Sequence, residues 1–161
     1  MSRMKLSVTE AVGADDTARA RQLFLEYASS LGTDLAFQDF EQELASLPGA
    51  YAPPGGRLLL GRAGEELAGC VAMRPLAEDV CEMKRLYVRP AYRSLGAGRQ
   101  LAEAIVQAAK DMGYGRMRLD TLPEMAAAQR LYRELGFRSI APYRFNPIEG
   151  TEFLELQVRM V

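Results

Sequence analysis

The stretch from Leu86 to Arg99, LYVRPAYRSLGAGR, holds the residue types most able to do chemistry. An apolar run of β type enters a turn with two glycines, and a helical pattern follows. The start of a helix presents unpaired N–H groups and the positive end of the helix dipole. Gly96 and Gly98 let a phosphate approach those N–H groups closely, and Arg93 and Arg99 add positive charge at the same place. Such a turn serves pyrophosphate binding. Two other glycine-loop chemistries fail on spacing. A Walker loop ends in Gly-Lys-Ser/Thr, whereas Arg99 and Gln100 follow Gly98. A dinucleotide fingerprint wants a third Gly or Ala where Leu101 stands. The competing reading is that the glycines only tighten a strand-to-helix turn.

Two absences narrow the remaining chemistry. The chain has no histidine, which removes Ser-His-Asp and Cys-His hydrolases and most catalytic zinc sites. Its two cysteines, Cys70 and Cys81, lack CxxC spacing and read as reduced, half-buried thiols of a cytoplasmic protein. No metal is expected. The formal charge of -1 gives no global reason to bind nucleic acid or an anionic membrane. No apolar run approaches the ~20 residues of a membrane span, and the first residues lack a signal-peptide core. At 161 residues the chain suits one domain, 1–161.

The elements that must position the turn follow from periodicity. Lys5 to Glu10 reads as a strand. Ala20, Leu23, Phe24, Tyr27 and Leu31 repeat at helical spacing, with Gly32 as the stop. Phe37, Phe40, Leu44 and Leu47 suggest a second helix, and Tyr51 to Gly56 a loop. Leu58 to Leu60, Leu67 to Met73 and Val80 to Val88 form an antiparallel meander, with turns at Ala63 to Glu66 and Pro75 to Asp79. After a loop from Pro90 to Gly98, Leu101, Ala104, Ile105, Ala108 and Met112 mark a long helix closed by Gly113. Met117 to Thr121 is a strand. Pro123-Glu124 opens a helix that Gly136 ends. Phe137 to Ile140 and Phe153 to Met160 are the last strands, the latter with Leu154, Leu156, Val158 and Met160 on one face. This order implies an α/β fold: a mixed, mostly antiparallel central sheet with helices on both faces. The unit from Val80 to Thr121 should be a right-handed parallel crossover.

Arg-x-x-Gly-x-Gly at Arg93, Gly96 and Gly98, preceded by Leu-Tyr-Val-x-Pro, resembles motif A of the GNAT family of N-acetyltransferases. Downstream, Ala128 to Phe137 resembles its motif B, A-x-x-L-Y-x-x-x-G-F. The motifs span Glu82 to Phe137, about a third of the chain, and the element order fits the family over nearly all the rest. The resemblance implies direct acetyl transfer from acetyl-CoA to a primary amine in a ternary complex. Leu86, Tyr87 and Val88 would lend their backbone to the pantetheine arm. Ser94, Leu95, Gly96, Ala97, Gly98 and Arg99, with Arg93, would cradle the pyrophosphate. The Val88 N–H would polarise the thioester carbonyl, and Tyr132 would protonate the leaving thiolate. Met125 stands where the family often has an Asn that contacts the cofactor. The resemblance allows a homodimer. A non-catalytic acyl-CoA sensor with the same fold is the alternative, and an enzyme using a longer acyl-CoA another.

Acetyl transfer needs a neutral amine, yet a Lys-type amine is protonated at pH 7. With no imidazole, a carboxylate or a water chain must take the proton. Glu82 resembles a position that is the base in some family members, and burial beside Val80 and Cys81 would raise its acid toward a useful range. Lys84, on the same strand face, would push it down again, and a structural Glu82–Lys84 pair is the other reading. Asp120 is the second candidate base, or else a cap near Thr121. Tyr132 on a stripe with Leu131 and Leu135 could equally be core. Tyr27, Tyr51, Tyr143, Arg144 and Asn146 fall where the family lines its acceptor site. Their cationic rim would suit an acceptor bearing a carboxylate, so a small molecule or amino acid is favoured over a protein.

Overall fold

The computed structural model describes residues 5–31 and 39–159. The chain runs β1 (Ser7–Glu10), α1 (Gly13–Ser30), α2 (Phe40–Ser46), β2 (Arg57–Ala63), β3 (Glu66–Ala77), β4 (Val80–Val88), α3 (Ala97–Asp111), β5 (Arg116–Thr121), α4 (Ala126–Glu134), β6 (Arg138–Ile140) and β7 (Glu152–Gln157). One seven-stranded sheet has the order β1-β2-β3-β4-β5-β7-β6. Every neighbouring pair is antiparallel except β4 and β5, which run parallel. The expected mixed, mostly antiparallel α/β sheet is what the chain forms.

Two apolar clusters flank the sheet. On one face Leu101, Ala102, Ile105 and Ala109 of α3 pack with Met83, Met117, Leu119 and Leu154, and Tyr132 and Phe137 join them from α4 and its exit. On the other, Ala20, Leu23 and Phe24 of α1 and Phe40 of α2 cover Leu58, Leu60, Cys70 and Tyr87. The helical stripes read from the sequence pack on these faces, but in α3 the stripe is rotated: Ala102 and Ala109 are buried with Leu101 and Ile105, while Ala104, Ala108 and Met112 are half-buried. A pair of glycines seats α3. Gly61 and Gly69 lie opposite each other on β2 and β3. A Cβ at either would stand 3.1 Å from a Leu101 methyl. The Leu101 side chain takes the room that two side chains would fill, and this lets α3 sit close against β2 and β3.

Several boundaries differ from the periodicity reading. β1 starts at Ser7 rather than Lys5. The expected turn from Pro75 to Asp79 shrinks to Glu78 and Asp79, because β3 continues to Ala77. Pro75 is accommodated at a register shift, where a residue without an N–H breaks no ladder. A short 3₁₀ turn occupies Gly49–Tyr51 inside the expected loop, and another, Pro90–Tyr92, precedes α3. Helix α4 begins at Ala126, not at Pro123. A turn closed by the Met125 N–H on the Leu122 carbonyl comes first. β7 ends at Gln157, after which the Val158 N–H leaves the ladder for the Gly115 carbonyl. Gly32, Phe37 and Met160 lie outside the described residues. Both cysteines are free and fully buried, not half-buried. No described helix is long and apolar enough to cross a membrane.

Candidate active site

The site begins with a fault in one ladder. The pairing of β3 with β4 jumps from Cys70↔Tyr87 to Ala72↔Lys84, so Arg85 and Leu86 together face Val71. Arg85 adopts φ 62, a left-handed conformation costly for a residue with a Cβ. The remote contacts of its guanidinium hold it there. Nε and Nη2 donate to the two carboxylate oxygens of Glu43 on α2 at 2.9 Å each. The same group lies 5.2 Å from the centre of the Phe40 ring and 5.9 Å from that of Tyr27. Gly69 completes the bulge, since a Cβ there would stand 2.3 Å from the Tyr87 carbonyl.

The parallel pairing of β4 and β5 covers only Val80–Glu82 with Arg116–Arg118. Beyond it the strands part. A groove of about 550 Å³ occupies the opening and continues to the start of α3. Eight residues named from the sequence line it: Leu86, Tyr87, Val88, Arg93, Ser94, Gly96, Ala97 and Gly98. Leu95 and Arg99 do not. Arg99 turns away to an ion pair with Glu134 of α4. The first turn of α3 has no side-chain cap and no acidic residue. Ser94 and Gly96 both adopt positive φ, 66 and 85, which wraps the turn tightly before the helix. The Arg93 guanidinium donates to the Val88 carbonyl at 2.9 Å. Met125, where the resemblance expected a cofactor contact, lies on the opposite wall; the rest of that wall went unread in the sequence: Ser30 and Leu31 at the end of α1, and Glu124 and Ala126 to Ala128 with Leu131 around the start of α4. The small side chains of Ala126, Ala127 and Ala128 were a further local signal.

A smaller cavity of about 50 Å³ shares Tyr27, Leu86, Met125 and Ala128 with the groove, and Lys84, Asp120 and Tyr132 line it together. Tyr132 is 7% exposed. Burial, aided by the charge of Asp120 and by Tyr27, pushes its phenol well above the ordinary value. It is therefore a protonated donor at neutral pH. The Asp120 carboxylate accepts a hydrogen bond from the Asn146 amide at 3.4 Å.

Glu82 does not line the cavity. It is fully buried, and its carboxylate is taken up by Arg74 at 3.0 Å, the Tyr143 hydroxyl at 2.7 Å and an ion pair with Arg144. Burial alone would raise its acid, as the sequence suggested. Lys84, with the hydrogen bonds from Arg144 and Tyr143, outweighs that and holds it below the usual range. Lys84 shares the strand face of Glu82, because the bulge comes only after it. Tyr143, Arg144 and Asn146 thus reach the charged face of the sheet through Glu82 and Asp120. Tyr51 lies apart, packed edge-on against Phe24.

Among known proteins, the acetyltransferase (GNAT) family model matches residues 17–137. This chain belongs to the GNAT acetyltransferase family. An uncharacterised N-acetyltransferase of Schizosaccharomyces pombe is 38% identical over 160 residues and is covered over 98% of both chains. A GNAT-family acetyltransferase from Staphylococcus aureus superposes with a TM-score of 0.78 at 19% identity, over 96% of this chain and 100% of that one. A structure from Salmonella typhimurium, determined with its cofactor acetyl-CoA, gives 0.68 at 19% identity, over 96% and 94%. At such identities the solved structures speak for the fold. Among the described residues no cluster of three or more His, Cys, Asp or Glu could hold a metal.

Proposed function

We propose that this GNAT protein moves an acetyl group from acetyl-CoA directly to a primary amine in a ternary complex, within one domain spanning the chain. The observation that carries this reading is the continuity of the groove. It leads from the start of α3 into a cavity where a protonated phenol, a carboxylate and an amine meet. The Salmonella neighbour with bound acetyl-CoA supports the choice of substrate. The glycine turn fits a pyrophosphate: a Cβ at Gly98 would meet only methyl groups, at 3.8 Å, so its missing side chain leaves backbone rather than bulk facing the groove.

Leu86 is the strand residue that lines both spaces, whereas Val88 lines the groove alone. The thioester carbonyl accordingly sits at the bulge, nearer the Leu86 backbone than the expected Val88 N–H. Tyr132 protonates the departing thiolate. Asp120 takes the proton from the amine, directly or through water. Glu82 serves as the anchor that ties the segment carrying Tyr143 and Arg144 to β4. A cavity of about 50 Å³ suits an acetyl group rather than a long acyl chain. The enclosed, cation-rich face around it favours a small acceptor, an amino acid among the candidates, over a protein.

The deciding experiment is a panel of amines incubated with acetyl-CoA and the wild-type chain, with thiol release as the readout. Release dependent on one class of amine is the expected result. Tight acetyl-CoA binding with no release for any amine would make the protein a sensor instead.

A further inference from the structure

The chain has 17 arginines and three lysines, Lys5, Lys84 and Lys110. Lys5 and Lys110 are exposed. On the charged face of the sheet four arginines make ion pairs: Arg74 and Arg144 with Glu82, Arg85 with Glu43, Arg118 with Glu155. Lys84 stands among these arginines as a lysine. It is 6% exposed and lines the transfer cavity with Asp120 and Tyr132. An arginine there would supply charge without a nucleophile, since guanidinium does not lose its proton in proteins. A lysine brings an amine to the place where an acceptor amine must come.

We propose that Lys84 is an acetylation site that the protein modifies itself: with acetyl-CoA bound and no acceptor present, the Lys84 amine takes the acetyl group. This rests on the placement of the thioester proposed above. The Nζ–C bond forms as the C–S bond breaks. The proton lost by Nζ passes through Asp120 to solvent, and Tyr132 protonates the leaving thiolate. The product is a stable, uncharged amide whose acetyl group fills the small cavity. Further amines are then shut out, so the event is self-limiting, and a bound acceptor would shield Lys84 from it.

The surroundings make the uncharged form of the amine available near neutral pH. Burial, then the charges of Arg85 beside it and Arg74 on β3, hold its ammonium down at about 8 against the pull of Glu82 and Asp120. Tyr27 from α1 and Tyr132 from α4 face the same space as protonated phenols. The reactive fraction therefore grows about tenfold per pH unit below that value and levels off above it.

The test uses the full wild-type chain with acetyl-CoA and no amine, followed by intact mass and peptide mapping, beside a calorimetric titration of acetyl-CoA binding. One acetyl group per chain is expected, mapped to Lys84, with a rate that climbs with pH up to about 8 and then flattens. Free CoA should slow it by competition. Lys84→Arg keeps the charge and should show no acetylation at residue 84 and no gain elsewhere. Binding of acetyl-CoA without any mass gain overturns this inference and leaves the proposed function standing. Label on Lys5, Lys110 or the amino terminus that persists in Lys84→Arg would be bulk chemistry and also overturns it. Failure to bind acetyl-CoA removes both.

Discussion

At the scale of single residues, Tyr132 and Asp120 share a wall of one cavity although the chain between them turns through the start of α4. Motif spacing singled out Tyr132, but nothing local told its role from that of a core tyrosine. Its ring does pack on Phe137, with centres 5.7 Å apart, so it is core and cavity wall at once. Tyr132→Phe should lower kcat about 10²-fold with acetyl-CoA affinity nearly unchanged, measured by steady-state kinetics and titration. Asp120→Asn should lower kcat by a similar factor, whereas an equal kcat would return the proton to a water chain. Glu82→Gln has a different expected outcome. It leaves Arg74 and Arg144 beside a buried neutral group and should destabilise the fold by about 3 kcal/mol, a Tm drop of about 6–12 °C in a melting experiment. The folded acid of Glu82 lies below its reference of 4.5, so its stabilisation is fully present above that pH. It fades as pH falls through the lower, folded value. In Glu82→Gln that part of the acid sensitivity should vanish.

At the scale of elements, the strand, turn and helix from Leu86 onward were legible because each has a strong local signature: an apolar run, two glycines, an amphipathic stripe. The bulge in β4 had none. Its left-handed residue is an arginine, stabilised by a carboxylate 42 positions earlier in the chain. No local pattern carries that information. The same separation explains Arg99, which looked like a phosphate ligand from its place beside Gly98 and instead pairs with Glu134, 35 positions away. Glycine substitutions probe the element directly. Gly98→Ala meets only ordinary contacts at 3.8 Å and should fold normally while weakening acetyl-CoA binding about tenfold. A bulky residue at Gly96 is a poorer probe, because its φ of 85 adds backbone strain to the lost ligand contact. Gly69→Ala presses on the Tyr87 carbonyl. It should cost about 1–3 kcal/mol and weaken acetyl-CoA binding too, since β4 must shift away. Denaturant melts and calorimetry would separate the two effects.

At the scale of the whole molecule, only three register pairs join the antiparallel β1–β4 part of the sheet to the β5–β7 part. A ligand lying between them should brace both. Acetyl-CoA at about 100 times its Kd stabilises a folded protein by about 2.7 kcal/mol, a Tm rise of about 5–10 °C by thermal shift. Thiol reactivity reports the intactness of the packed sheet. Burial pushes the thiol of Cys70 far up and that of Cys81 up to about 12, so neither should react with a thiol reagent until the chain unfolds.

The sequence by itself determined the class of fold, the glycine turn ahead of a long helix and the exclusion of imidazole chemistry. These are properties of composition and short-range periodicity, written in residues near one another. Tertiary structure decided which carboxylate faces the cavity. Glu82 and Asp120 are both acidic residues on strands, with comparable local surroundings. What separates them is a set of partners brought from β3 and the segment after β6, which binds one carboxylate on every side and leaves the other on the cavity wall. Charge pairing across a folded sheet depends on three-dimensional distance, and distance along the chain does not encode it.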